Sequence, residues 1–130
     1  MGCAFANHSP VVPATVIIED AAHPANSGLP ARWMHSVEWY NFTGTPRGRA
    51  RVLATVDEST YAGGKMGADH PVTWCRTVGK GRMWYTALGH TPECFAEPLF
   101  QQQLLNGIRL VAGWSAGEFT PNKQPSAAKP

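Results

Sequence analysis

The segment Gly89–Glu93 carries the side chains with the clearest capacity for chemistry. It reads Gly-His-Thr-Pro-Glu and follows a strand-like run. A neutral imidazole at a strand end can act as a base near neutral pH, and a nearby carboxylate can hold its tautomer. We therefore predict His90 as the acid/base and Glu93 as its orienting carboxylate. The structural alternative is that His90 caps a turn while Glu93 stabilises the N-terminus of the next helix.

A second polar group lies at predicted strand ends. Asp57 and Glu58 follow one strand, and Asp69 and His70 precede another. Carboxylates beside an imidazole can bind a metal ion or sugar hydroxyls. The alternative is that these residues stabilise the turns at the strand ends and bind no ligand. The chain has no HxH, HExxH or CxxC spacing. A divalent metal is therefore left open, and no other cofactor is predicted.

A third group combines a carboxylate with aromatic rings. Glu38 and Trp39 stand in the phrase EWYNF, a short distance after Trp33. A sugar-binding cleft uses rings to stack on pyranose faces and an acid to accept hydrogen bonds from hydroxyls. We predict that Glu38, Trp39, Asp57, Glu58 and His70 contact a small sugar. The alternative for the aromatic residues is that their side chains pack in the hydrophobic core beneath a loop.

These residues must be positioned by strands and one helix. Apolar runs bounded by turn residues predict four strands, the last two forming an antiparallel hairpin: Ala14–Glu19, Arg49–Val56, Thr73–Val78 and Arg82–Leu88. Apolar residues at three- and four-residue spacing predict a helix over Glu97–Trp114. One helix cannot cover both faces of a sheet, so we expect a missing N-terminal half or a homo-oligomer to cover the rest.

Composition limits the class of protein. The 130 residues suffice for one domain, and a net charge of +2 without a basic cluster argues against nucleic-acid binding. No apolar run is long enough for a membrane span, and no signal peptide is visible, so we expect a soluble cytoplasmic protein. The three cysteines are odd in number and widely spaced, which indicates free thiols. We predict a domain over residues 1–117 and a flexible tail over residues 118–130.

Six phrases, occurring in order between Cys3 and Trp114, together resemble the trehalose-utilisation, ThuA-like family. They are HPANSGLP, EWYNF, VLATVDEST, DHPVTWCR, GKGRMWYTALGHTPE and LLNGIRLVAGW. The resemblance implies an α/β fold, specifically part of a class I glutamine-amidotransferase-like, flavodoxin-like sandwich with a C-terminal hairpin and one long helix. It also implies a role in trehalose or glycoside utilisation.

The resemblance covers only the second half of the family domain. In amidotransferases of that fold a late His-Pro-Glu segment completes a cysteine triad, and His90 and Glu93 are similar in place, although Thr91 is inserted between His90 and Pro92. The turn that would hold the nucleophilic cysteine lies outside the resemblance, so glutamine hydrolysis is not expected. An enzyme acting on a sugar, a non-catalytic sugar-binding or accessory module and an inactive truncated fragment all fit these residues.

Overall fold

A five-stranded antiparallel sheet forms the centre of the structure, a computed structural model that describes residues 2–123. The sheet order is β2-β1-β3-β4-β5. Its strands are β1 (Phe5–Ile18), β2 (Arg32–Phe42), β3 (Arg51–Asp57), β4 (Pro71–Val78) and β5 (Gly81–Thr86). Two helices follow, α1 (Pro92–Ala96) and α2 (Pro98–Ala112), and short 3-10 turns occupy Pro24–Asn26 and Glu58–Thr60. No helix within residues 2–123 is long and apolar enough to cross a membrane.

The structure confirms a mixed α/β fold, the hairpin and the long helix. The hairpin closes with Val78 opposite Gly81, and α2 lies within the predicted helical range. Every strand pair among the described residues is antiparallel, so the flavodoxin-like part of the prediction is not confirmed. Two elements differ from expectation: β1 begins at Phe5 rather than Ala14, and Arg32–Phe42 forms a strand that the pattern did not predict.

The sheet curls until its edge strand β2 meets the chain that leaves β5. Nε2 of His35 donates to the Leu88 carbonyl at 2.6 Å, and the Cys94 thiol donates to the Ser36 carbonyl at 3.2 Å. The side chain of His35 is fully buried, and its Nδ1 lies 2.6 Å from Oε2 of Glu97. These contacts place β2 beside the segment that contains His90.

Close packing fixes α2 against the end of the sheet. Helix α2 contacts β5 and the 3-10 turn Pro24–Asn26. A Cβ atom at Gly107 would lie only 2.4 Å from the Trp84 ring, so this position requires glycine for the helix to approach β5. The opposite face of α2 leaves apolar side chains exposed to solvent: Leu105, Ile108, Val111 and, just beyond the helix, Trp114.

A buried ion cluster joins the loops at one end of the sheet. The side chain of Arg47 is only 6% exposed. Its guanidinium donates to Asp69 at 2.6 Å and 2.7 Å and to both carboxylate oxygens of Glu19. Burial alone would lower the pKa of Arg47, but the hydrogen bonds to Asp69 and Glu19 outweigh it and raise that pKa. Arg47 therefore remains charged throughout the pH range in which the protein is folded.

Part of the predicted tail is bound to the sheet. The Asn122 side chain accepts from the Val52 amide and donates to the Val52 carbonyl, each at 2.8 Å. The Glu118 carbonyl accepts from Nε2 of His23 at 2.9 Å, and Phe119 packs on a small cluster formed by Leu53, Cys75 and Leu110. The docked chain thus extends past the predicted boundary at Gly117, while residues 124–130 lie outside the described part.

His23 is expected to make stability depend on pH. It is 4% exposed, its Nδ1 accepts from the Ala25 amide, and its Nε2 donates to Glu118. Burial lowers its pKa below the ordinary value of about 6.5. The unfolded chain then binds the proton more tightly, so this stabilisation is complete above about pH 6.5 and is lost as pH falls through the lowered folded pKa.

Urea unfolding of His23→Asn measures this contribution. Asparagine keeps an acceptor near the Ala25 amide but does not titrate. The wild-type midpoint should fall between about pH 7.5 and pH 5 more steeply than that of the variant. Parallel curves for the two proteins would show that His23 is not the titrating group.

Candidate functional site

His90 lies in an open cluster centred on Glu38. Oε2 of Glu38 is 3.4 Å from Nε2 of His90 and 3.5 Å from Nδ1 of His8. The Tyr40 hydroxyl lies 3.5 Å from Nδ1 of His90. Both imidazoles are 43% exposed, whereas Glu38 is 18% exposed. We call His8, Glu38, Tyr40 and His90 the Glu38 cluster; solvent reaches its rings, and its carboxylate lies deeper.

Strand pairing brings three of the four residues together. Glu38 and Tyr40 are two positions apart on β2, so they project from the same face. His8 on β1 lies opposite Tyr40, and the pairing shifts register between His8 and Val11. Such an irregularity bends the strand and redirects side chains, and His8 approaches Glu38 as well as Tyr40. The curl of the sheet supplies His90 from the opposite edge.

Hydrogen-bond partners assign protons within the cluster. Nδ1 of His8 is 2.7 Å from the Ser9 carbonyl, and because a carbonyl only accepts, this nitrogen carries the proton. We assign His90 the tautomer with its proton on Nε2, because that nitrogen faces the Glu38 carboxylate and Nδ1 can then accept from Tyr40. Separations of 3.4–3.5 Å exceed those of good hydrogen bonds. The cluster can therefore still bind the hydroxyls of a ligand.

Glu93 makes the contacts of a helix-capping residue. It lies in the first turn of α1. Hydrogen bonds from its own amide and then from the Thr91 hydroxyl lower the pKa of its exposed carboxyl. The carboxylate beside His90 is Glu38. The orienting role predicted for Glu93 thus stays a prediction, and its observed contacts match the structural alternative.

Asp57 and Glu58 organise turns. Asp57 accepts from the Ser59 hydroxyl at 2.6 Å and the Ser59 amide at 3.1 Å, and the hydroxyl bond is the main cause of its lowered pKa. Glu58 accepts from the amides of Met66 and Gly67 at 2.7 Å and 2.9 Å. Both carboxylates are occupied by local protein donors.

His70 and Trp39 are buried supports for the strand that carries the cluster. His70 has no exposed side-chain surface; Nδ1 lies 2.7 Å from Glu58, and Nε2 donates to the Tyr40 carbonyl at 2.9 Å. Trp39 is fully buried, and its indole N–H donates to Val12 at 2.9 Å. Of the seven residues predicted from the sequence, the structure brings Glu38 beside His90 in the open cluster and Glu58 beside the buried His70.

Two members of the cluster were not predicted. Tyr40 is separated from Glu38 by one residue, and the alternation of a strand would have placed the two on one face. His8 lies in the part of β1 that the pattern did not predict, so its proximity to Tyr40 had no sequence signal. Within residues 2–123 no group of three or more His, Cys, Asp or Glu side chains has a geometry that could hold a metal ion.

Tyr40 also borders an apolar cavity of about 340 Å³. The cavity is lined by one thiol and five aromatic rings: Cys3, Phe5, Tyr40, Phe42, Trp74 and Tyr85. The Trp74 and Tyr85 rings stack with centroids 4.2 Å apart, and Phe42 meets Trp74 edge-on at 5.4 Å. Tyr40 thus lies between the polar Glu38 cluster and the apolar cavity.

The fold and the site define a mixed α/β domain with a curled antiparallel sheet and, at the sheet edge, an open cluster of two imidazoles, a carboxylate and a tyrosine hydroxyl. A family model described as ThuA, trehalose utilisation, matches residues 1–111. The chain therefore belongs to the ThuA family, as the resemblance predicted. No curated protein matches it.

Two solved structures agree with this assignment. A protein from Bacteroides uniformis described as ThuA-like is 27% identical with a TM-score of 0.69, over 83% of this chain and 46% of that chain. Another from Parabacteroides merdae is 25% identical with a TM-score of 0.64, over 94% of this chain and 46% of that one. The chain therefore spans less than half the length of either structure.

Proposed function

We propose that this chain binds a small sugar or glycoside at the Glu38 cluster as part of a ThuA-like protein of carbohydrate utilisation. The observation that carries the proposal is the loose spacing of the cluster. The imidazoles of His8 and His90 lie 3.5 Å and 3.4 Å from Glu38, and the Tyr40 hydroxyl lies 3.5 Å from His90, so none of these contacts is a strong hydrogen bond. Sugar hydroxyls both donate and accept, so they can complete such a set. Family membership supports carbohydrate as the ligand class.

His90 is the residue proposed to move a proton. The lone pair of the ring is on Nδ1, so a sugar hydroxyl that displaces the 3.5 Å contact with Tyr40 can transfer its proton to Nδ1. Glu38, which faces Nε2, then stabilises the imidazolium that forms. Before the ligand arrives, the Tyr40 hydroxyl lies beside Nδ1 of His90 and helps to orient the ring. Glu38 thus takes the role first assigned to Glu93, that of the carboxylate beside the imidazole.

A non-catalytic binding or accessory module is the second candidate. The observation that favours it is the exposed apolar face of α2, which offers a surface for a further polypeptide. We propose that the exposed apolar face of α2 packs against the ThuA-like polypeptide that this chain does not span, completing the flavodoxin-like sandwich. Light scattering tests which polypeptide covers the apolar face of α2. A stable homodimer whose interface contains Ile108 and Trp114 would instead favour a second copy of this chain.

Paired variants test the sugar site. Glu38→Gln and His90→Gln should each weaken binding of trehalose or methyl glucoside about tenfold, because a hydrogen bond to a charged group contributes roughly 1.5–3 kcal/mol. Glu93→Gln is the matched control and should leave affinity unchanged. Calorimetry measures all three.

The outcomes separate the candidates. Sugar binding that is insensitive to Glu38→Gln and His90→Gln would remove the cluster as the site. Binding lost on Glu93→Gln would return the orienting role to that residue. Turnover by the wild type that is lost in His90→Gln at saturating sugar would favour an enzyme, and affinity without turnover in the wild type would favour the binding module.

A further inference from the structure

We propose that the aromatic cavity beside the Glu38 cluster is a subsite for the aglycone of an aryl glycoside. The proposal rests on the proposed function, since it assumes that the sugar occupies the Glu38 cluster. It adds a ligand class: the preferred ligand carries an aromatic group on its anomeric oxygen.

The walls of the cavity are suited to a flat apolar group. At about 340 Å³ the cavity falls in the size range of small-ligand sites. Phe5 meets Tyr40 edge-on with centroids 5.1 Å apart, and Phe42 packs edge-on against the stacked rings of Trp74 and Tyr85. Because the rings already pack on one another, they form firm walls on which another ring can stack.

The chemistry of the lining disfavours a sugar ring inside the cavity. The polar side-chain groups of its lining residues are one thiol, one indole N–H and two hydroxyls, those of Cys3, Trp74, Tyr40 and Tyr85. Burial raises the pKa of Tyr85 to about 12 and also raises the pKa of the Cys3 thiol, so both groups are neutral near pH 7. A pyranose placed there would lose hydration at several hydroxyls with too few partners in return. An aromatic ring has no such cost.

Tyr40 fixes the orientation of the ligand. Its ring lines the cavity while its hydroxyl approaches His90. A molecule lying across Tyr40 would therefore present a polar end to the Glu38 cluster and an apolar end to the cavity. An aryl glycoside has this division of polarity across a single glycosidic oxygen.

Cys3 provides a reporter for the cavity. It is partly exposed, whereas Cys75 and Cys94 are buried, and all three thiols are free. Burial raises the pKa of Cys75 to about 12, which suppresses its reaction further. Iodoacetamide at mildly alkaline pH should therefore label Cys3 first, and an aromatic group in the cavity should slow that labelling.

The test compares phenyl β-glucoside, methyl β-glucoside and phenol on the full chain. We expect phenyl glucoside to bind about tenfold more tightly than methyl glucoside, because burial of the ring removes apolar surface from water. Phenyl glucoside should also slow the alkylation of Cys3. Phe5→Ala should abolish the preference for phenyl glucoside while leaving methyl glucoside affinity unchanged.

Phe5 and its control are chosen to preserve the fold. Phe5 is 52% exposed and Phe95, on α1 and outside the cavity lining, is 49% exposed, so removal of either ring should cost little stability. Phe95→Ala should keep the phenyl preference.

Equal binding of the two glucosides, unchanged by Phe5→Ala, would overturn the aglycone subsite and leave the proposed function intact. Slower Cys3 alkylation with phenol while neither glucoside binds would overturn both the proposed function and the assignment to aryl glycosides.

Discussion

Replacement of Arg47 by Met is expected to lower the free energy of unfolding by about 3–5 kcal/mol. The Arg47 side chain is 6% exposed, and its guanidinium is the shared donor for Glu19, which is 8% exposed, and Asp69, which is 18% exposed. Methionine fills much of the same volume but leaves two negative charges close together with little water. Urea unfolding at neutral pH measures the loss.

Arg32 supplies the matched control. Its guanidinium lies 2.8 Å from Asp57, but its side chain is 57% exposed. Because water screens such a pair, Arg32→Met should change the unfolding free energy by no more than about 1 kcal/mol. Similar losses in both variants would show that burial does not set the contribution of Arg47.

Replacement of His70 by Leu is expected to be costly for stability and to disturb the site. It removes the donor to the Tyr40 carbonyl and the partner of Glu58. Each buried group left without its partner costs about 1–3 kcal/mol. Since Tyr40 is tied to Glu58 through His70, the amide resonances of Tyr40 and its neighbours on β2 should also shift in NMR spectra.

Tyr61→Phe distinguishes this linkage from a general loss of packing. The Tyr61 hydroxyl is 3.3 Å from Nδ1 of His70, longer than the 2.7 Å contact with Glu58. The variant should lose less than about 1 kcal/mol and leave Tyr40 unperturbed. Shifts at Tyr40 in Tyr61→Phe as large as in His70→Leu would contradict the assigned link.

Local signals accounted for the hairpin and the long helix but not for β2. The Gly-Lys-Gly turn and the apolar spacing of α2 act over a few residues and are visible in the chain itself. The buried face of β2 includes His35 and Asn41, whose partners lie far away in sequence, among them Glu97 and Gly63. Polar residues on the core face conceal the alternation that otherwise marks a strand.

The candidate site was likewise predictable from the sequence only in part. His90 was predicted because it directly follows a strand-like run. Its carboxylate partner was assigned to Glu93, three residues later, but curling of the sheet brings Glu38 from another strand. That approach depends on contacts such as the hydrogen bond between His35 and Leu88, which only the folded chain defines.

Two buried histidines, His35 and His70, hold β2 on both sides of Glu38. His35 attaches the strand to Leu88 and Glu97, and His70 attaches it at Tyr40. The carboxylate between these anchors is preorganised, so a ligand arriving there meets a surface that needs little further ordering. Little conformational entropy is then lost on association, and differences in affinity among ligands should mainly reflect the contacts that they make.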